Sequence, residues 1–444
     1  MNLRLINNFI KFDKRIINLD DKTTIELWFC IRYAVFYNYV SIRYLKTHKK
    51  TFSKFLSSFI FQFLQTLKII FFLFKRSKIL DIDIGRYKIY DKQKNSTVNH
   101  ILKKNKIDFQ TISLSHNSKI FDNKVNIIFI VNIIHFFLKI FTKLRITKLS
   151  NLFLIQKKFN FFFQNKKKVD FLNIYQSIYL QQIAILITVK FFIRLFGSKN
   201  VIYLENPSLS KLIQYCGKKS IKTFDVQHSM ISNLNILYKF YITKKYDYLI
   251  TKKIITWGNY WKTFYTNNSR CIPIGYLESN KKLNFPKKRK QIMIISSIYS
   301  RKYLIKLLEY LSINLESYKI IYKLRPEENF SEIKNYINFD AKNVTFLKKI
   351  SEIKLKKKIA ESQYIIGTNS TLLSESIGIS NIIIYKKGWY KEYNELIKNN
   401  IFFSAANCND IVKIIKKNKL KKKLNKEIYF KTPIKRTLKK LLEK

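Results

Sequence analysis

The chain has 444 residues, enough for two or three domains that each bury a core of their own. Lys and Arg number 85 against 28 Asp and Glu, a formal charge of +57, yet 47% of residues are hydrophobic and 16% aromatic, which excludes a disordered, charge-solvated chain. A basic balance suits anionic partners such as nucleic acid or lipid. Abundant Lys, Ile, Asn, Phe and Tyr beside scarce Gly, Pro, Trp and Met is also the usage of an AT-rich genome, and charge bears on partners and solubility rather than on fold.

From the N-terminus, "MNLRLINNFI" lacks the uninterrupted apolar core and small-residue cleavage site of a signal peptide. "TIELWFCIRYAVFYNYVSIRYL" reads as a long aromatic helix. The apolar stretch 59–74 is interrupted by Gln62, Gln65 and Lys68, and 125–141 by Asn126, Asn132, His135 and Lys139, so neither supplies the roughly 20 apolar residues of a membrane span. The first suits a helix on a bilayer or partner, or an ordinary core helix; His135 reads as a packed side chain. "SKILDIDIGRYKIYD" and "KIDFQTISL" read as strands whose order the sequence does not give. Cys30, Cys216, Cys271 and Cys408 form no short-spaced pair, which argues against a disulfide framework or zinc knuckle and for a reducing compartment.

Beyond residue 200 the pattern turns regular. "NVIYLEN" and "IKTFDVQH" flank "SLSKLIQYCGKKS", a helix that Ser208 or Ser210 can cap and Gly217 can end; "YLI" and "IITWG" follow as strands, then the aromatic helix "NYWKTFY" and "CIPIGY". "NKKLNFPKKRK" interrupts the apolar pattern. "QIMIIS", "KIIYKL", "VTFL", "YIIG" and "NIIIY" then alternate with helices, including a polar one from about Phe330. Short apolar strands alternating with helices imply parallel sheets, because parallel neighbours need crossover connections. The expectation is an α/β chain of two Rossmann-like domains facing a cleft, with a helical N-terminal part: 1–285, 286–410, and a basic helix or tail over 411–444. Residues 413–444 carry fourteen Lys or Arg against Glu427 and Glu443, read as a solvated face or a membrane contact.

Ligands of open α/β sheets sit beyond the carboxyl ends of the strands. Three such ends carry anion-binding chemistry: Gly367 with Asn369, Ser370 and Thr371, followed one turn later by Glu375; Arg325, held extended by Pro326, with Glu327 and Glu328 beside it; and Ser296 with Ser297. Taken singly, Ser370 or Thr371 is as well explained as a helix cap and Arg325 as one half of a surface ion pair. In the other half Gln227 and His228 end a strand, and the near-neutral imidazole suits general-base work or, equally, a structural cap. The sequence has no P-loop, HExxH, GxSxG or paired-Cys motif.

In this order, "QHS", "TWGNYWK", "PIGY", "YKLRPEE" and "GTNSTLLSES" resemble the bacterial capsule and surface-polysaccharide glycosyltransferases of the GT-B type, including the sialyl- and polysialyltransferase-like families with HP and Ser/Thr motifs, over roughly 200–390. The resemblance implies that Arg325-Pro326 stands at the family's His-Pro pair and Ser370-Thr371 at its Ser/Thr pair. Arg325, Pro326, Glu327, Gly367, Asn369, Ser370, Thr371, Glu375, Ser296 and Ser297 would then lie at the donor nucleotide, Gln227 and Glu205 on the acceptor side, and His228 at the chemistry. It implies a nucleotide-sugar donor, a glycan or lipid-linked acceptor, no cofactor, no metal and no nucleic acid, at the inner face of the cytoplasmic membrane with peripheral contact to anionic lipid. An arginine binds phosphate but cannot donate a proton as histidine does. A polyol-phosphate transferase of the teichoic-acid type, a nucleic-acid-binding protein and a membrane scaffold remain open at this point.

Overall fold

The computed structural model describes residues 3–443 except 41–75, 84–86, 91–92, 115–123, 145–148, 165–168, 205–206, 229, 240–241, 276–288, 326–327, 329, 331–332, 334–341, 349, 389, 418–428 and 431–434. The 59–74 stretch, Glu205, Ser229, Pro326, Glu327, the boundary segment and most of the polar helix after Phe330 therefore lie outside the described residues.

Two parallel sheets form the frame. The first uses β1 (Ile79–Asp83), β4 (Gln110–Ser113), β5 (Lys124–Asn126), β6 (Asn200–Leu204), β7 (Lys222–Val226), β8 (Lys253–Thr256) and β9 (Cys271–Pro273), in the order β5-β4-β1-β6-β7-β8-β9; β2 (Tyr87–Tyr90) and β3 (Gln93–Ser96) make a separate antiparallel pair. The second uses β10 (Arg289–Ile295), β11 (Lys319–Lys323), β12 (Val344–Leu347), β13 (Ser362–Gly367), β14 (Asn381–Tyr385) and β15 (Phe403–Ala405), in the order β12-β11-β10-β13-β14-β15. Both are doubly wound: each chain starts in mid-sheet, winds to one edge, then returns to wind to the other, and the reversal leaves a crevice at the strand ends. In the second sheet that crevice lies between β10 and β13, whose Ile294 and Ile366 are in register, with Tyr322 of β11 on the other flank of Ile294.

The strands read as near-continuous apolar runs because both faces are covered. Met293, Ile295, Ile321 and Ile365 point to one side of the second sheet, and Ile292, Ile294, Ile320, Tyr322 and Ile366 to the other. "YLI" is not a strand: Lys244–Leu249 is a 3-10 segment, drawn toward the N-terminal helices by the Tyr246 hydroxyl on Asp20 and the Tyr248 hydroxyl on Glu26.

Helices α1 (Leu3–Ile17) and α2 (Lys22–Tyr39) pack on the loops that follow β7 rather than standing apart. Helix α2 is buried almost all round, which is why its sequence shows no polar face. Among the described residues three further helices, α3 (Thr97–Lys104), α4 (Ile128–Leu144) and α5 (Ser150–Phe162), precede α6 (Phe171–Phe196), which carries one π-helical turn at Tyr175–Tyr179; α7 (Ser210–Lys218), α8 (Asn259–Lys262), α9 (Arg301–Asn314) and α10 (Glu352–Glu361) follow. Helix α6 is long and apolar enough to cross a membrane, but it packs against α4 and contributes Ala184, Val189 and Phe192 to the first sheet's core. His135 is packed, as its surroundings suggested: its Nε2 lies 2.9 Å from the Gln176 carbonyl, and burial lowers its pKa.

The segment after residue 411 is no separate, fully solvated tail. Ile411, Val412 and Ile415 join the core of the second sheet, Tyr429 packs beside Trp261, and Leu438 and Leu442 return to the first sheet beside Ile79 and Leu102. The four cysteines are unpaired, and burial pushes the thiols of Cys30, Cys216 and Cys271 up to about 12.

Candidate active site between the two sheets

A cavity of about 170 Å³ opens between the halves, walled by Tyr33 and Tyr37 of α2, by Met230, Ser232, Leu234 and Asn235 after β7, and by Asn369, Thr371, Glu392 and Tyr393 from the second domain. Its wall reaches the core: Tyr393 belongs to, and Met230 packs against, the cluster in which Trp257 and Trp261 meet Ile365 and Leu373 across the two halves.

The polar wall is built at the end of β13. Gly367 stands in close approach there: a Cβ would lie 3.1 and 3.2 Å from the Leu373 methyl carbons, tighter than ordinary contact, so a larger residue would press on Leu373. Leu373 belongs to helix α11 (Thr371–Glu375), and its seat against the strand fixes where Thr371 emerges. Ser370 is the cap of that helix, its Oγ accepting from the Leu372 N–H, so its hydroxyl serves the fold. Its backbone is held by Tyr393, whose hydroxyl donates to the Ser370 carbonyl at 2.6 Å and accepts from the Ser370 N–H at 3.0 Å. Burial pushes the Tyr393 phenol far above its ordinary pKa, so it stays a neutral donor. Asn369 Nδ2 donates to Glu392 at 3.0 Å, setting an amide and a carboxylate side by side in the cavity wall.

The ends of β10 and β11 are built differently from what the sequence suggested. Ser296 is buried, donates to Glu328 Oε1 at 2.8 Å and accepts from the Tyr322 hydroxyl at 3.2 Å. Glu328 is only 2% exposed; it also takes the Arg301 Nε at 3.1 Å and the Arg325 backbone N–H at 2.7 Å. The Glu328 carboxylate thus ties the two strand ends together, and Arg301 is its ion-pair partner. Ser297 is buried before a short 3-10 turn. Arg325 sits half-buried just past β11, and Glu375 half-buried at the last position of α11. Neither is among the described residues lining the cavity.

In the first domain the Gln227 side chain is engaged with the fold. Its side-chain Oε1 accepts from the Trp257 backbone N–H at 3.0 Å and its own carbonyl from the Trp257 indole at 2.8 Å. Half-buried His228 lies two residues before Met230, on the loop that enters the cavity, but does not itself line it. Sequence reasoning missed Tyr33, Tyr37 and Glu392. Tyr33 and Tyr37 are one turn apart on α2 with ring centroids 4.5 Å apart, a spacing the sequence does show. Behind Tyr33 a second cavity of about 80 Å³ holds Asp225, which accepts from the Tyr238 hydroxyl at 2.9 Å.

A wall of two phenols faces a wall of amide, hydroxyl and carboxylate. Such a cleft can stack the apolar face of a ring while hydrogen-bonding its edge, the composition of small-molecule sites. Among the described residues no group of three His, Cys, Asp or Glu side chains is placed to hold a metal.

No protein-family model matches the chain, and no curated protein matches its sequence. Solved structures of similar shape include the UDP-GlcNAc 2-epimerase from Neisseria meningitidis bound to UDP-GlcNAc, at 11% identity and a TM-score of 0.49 over 83% of this chain and 100% of that one. The epimerase from Methanocaldococcus jannaschii is similar at 11% identity and 0.49, over 82% and 100%. The glycosyltransferase SnogD from Streptomyces nogalater gives 12% identity and 0.46, over 83% and 99%. The two-domain architecture rests on the strand orders themselves.

Proposed function

We propose that the chain is a GT-B glycosyltransferase that moves a sugar from a nucleotide-sugar donor to a surface polysaccharide or lipid-linked glycan, as a peripheral protein at the inner face of the cytoplasmic membrane. The observation that carries the reading is the cleft itself: Asn369, Thr371 and Glu392, at the strand ends of one doubly wound domain, face Tyr33, Tyr37 and the β7 loop of the other. In this reading the second domain holds the donor. Thr371 and Asn369 offer hydrogen bonds to its phosphate and sugar, Glu392 accepts from hydroxyls, and Arg325 supplies positive charge as the phosphate departs. The acceptor lies against the tyrosines, and His228, at the entrance of the β7 loop, takes the proton of the attacking hydroxyl.

The test is a thermal-shift and calorimetric screen with CMP, UDP and GDP, since a ligand that binds only the native state raises its stability. One nucleotide should raise the midpoint of the full-length protein in a dose-dependent way, and incubation with its sugar conjugate and a glycan acceptor should release that nucleotide. No shift with any of the three would remove the reading. A product that retains a phosphodiester would instead identify the polyol-phosphate transferase.

A further inference from the structure

Helix α4 is apolar on two faces, and the described residues account for only one. Val131, Ile134 and Leu138 pack inward on the first sheet and on α6. Ile133, Phe136, Phe137, Ile140 and Phe141 lie outward at the i, i+3, i+4, i+7, i+8 spacing of a single stripe, with Phe136 59% and Phe141 60% exposed. The neighbouring α6 adds Ile187 and, 55% exposed, Phe191, one turn apart. Scattered apolar side chains on a surface need no explanation, but a continuous aromatic stripe across two packed helices marks a contact.

The sequence of this region is one-sided in charge. From residue 123 to 204 the only acid is Asp170, against thirteen Lys or Arg. Where α6 ends, at the left-handed Gly197, a cavity of about 390 Å³ begins, ringed by Lys78, Lys199, Lys219 and Lys222, with no acidic side chain among the described residues of its wall. An apolar stripe with a basic cavity at its end matches a bilayer with anionic headgroups, acyl chains taking the phenyl rings and phosphates the ammonium groups. A second copy of this chain fits poorly, because two bodies of charge +57 would meet through their basic rims.

We infer that the outer face of α4 and α6, with the lysine cavity at the end of α6, is the surface by which the protein docks on an anionic phospholipid membrane. This rests on the membrane location proposed above and is independent of the transfer reaction. The docking element is α4 with α6; the 59–74 stretch, which the sequence also suggested for such a contact, lies outside the described residues.

Full-length protein is sedimented with phosphatidylcholine vesicles with and without phosphatidylglycerol, alongside Phe136→Ser/Phe141→Ser/Phe191→Ser and Lys199→Glu/Lys219→Glu. Wild type should pellet with the anionic vesicles, and each variant should need about tenfold more lipid or greater for the same pelleting, with unchanged nucleotide affinity and thermal midpoint. A Phe137→Trp reporter should shift to the blue on anionic vesicles, a readout that does not depend on the stability of the triple variant. Wild type remaining in the supernatant, a triple phenylalanine variant that pellets like wild type, or a reporter that stays in water would overturn the inference. So would a dimer in analytical ultracentrifugation that the phenylalanine substitutions dissolve, since the stripe would then be covered by a second copy.

Discussion

The Tyr393 hydroxyl closes both backbone groups of Ser370, accepting from its N–H and donating to its carbonyl, across a separation of 23 residues. This clamp joins the strand-end loop carrying Thr371 to the segment carrying Glu392, so the polar wall of the cleft behaves as one unit. Tyr393→Phe keeps the ring in its apolar setting but leaves two backbone groups without that partner. The expected cost is about 1–3 kcal/mol in urea unfolding, together with weaker nucleotide binding. A variant with wild-type stability and affinity would show that the clamp is ornamental.

Ser370 and Thr371 are adjacent but should respond differently to truncation. Ser370 caps α11, so Ser370→Ala should cost about 0.5–2 kcal/mol of stability. Thr371 lines the cavity, so Thr371→Ala should leave the unfolding midpoint in place and weaken nucleotide binding by about 1–3 kcal/mol, as should Arg325→Ala if its guanidinium reaches the phosphate. Calorimetry and urea melts on the three variants separate the roles. Wild-type affinity in both Thr371→Ala and Arg325→Ala would remove the donor-site assignment.

How much of this was legible in the sequence follows from where each signal resides. The second domain was readable nearly strand by strand, because β10, β11, β13 and β14 are short apolar runs punctuated by amphipathic helices such as Arg301–Asn314. The opening strands of the first domain were legible as strands, in "SKILDIDIGRYKIYD" and "KIDFQTISL", but not in their order, because only the tertiary pairing places β1 between β4 and β6. In the site, Thr371 and Asn369 stand in a local strand-turn-helix signature. Tyr33 and Tyr37 do not, since only the docking of α2 brings them across more than three hundred residues of sequence to Thr371. Ser296 and Gln227 show how a strand-end position can also serve the fold. Each sits at a strand end, as a ligand contact would, but turns inward to Glu328 and Trp257.

The docking of α2 includes one buried ion pair. Arg32 donates to Asp13 through Nη2 at 2.5 Å and through Nε at 3.1 Å, and its remaining hydrogens reach the carbonyls of Ile236 and Lys239. Asp13 also takes the Trp28 indole at 2.8 Å, while burial pushes its carboxyl up and the Arg32 charge opposes that rise. Arg32→Ala should cost about 3–5 kcal/mol by stranding the carboxylate, and Asp13→Leu with Arg32→Met should recover much of the loss by removing both charges. Equal destabilisation of the single and double variants in guanidinium unfolding would show that packing, not the charge pair, holds α2 in place.

The same helix carries one contributor to the protein's acid response. Burial alone would raise the Glu26 pKa, but hydrogen bonds from Lys218 and Tyr248 and the charge of Lys211 outweigh it, and the carboxyl sits below its ordinary value. A carboxyl whose native pKa is depressed binds fewer protons when folded than when unfolded. Its stabilisation is therefore full above the unfolded pKa, about 4.3, and disappears as the pH falls through the lower native value. Glu26→Gln, which keeps the shape and removes the charge, should melt below wild type at neutral pH and converge on it in acid. Melting curves of both proteins across that range give the difference directly. A gap that stays constant as the carboxyl is protonated would mean that Glu26 acts through shape alone and that its three partners contribute no charge-dependent stability.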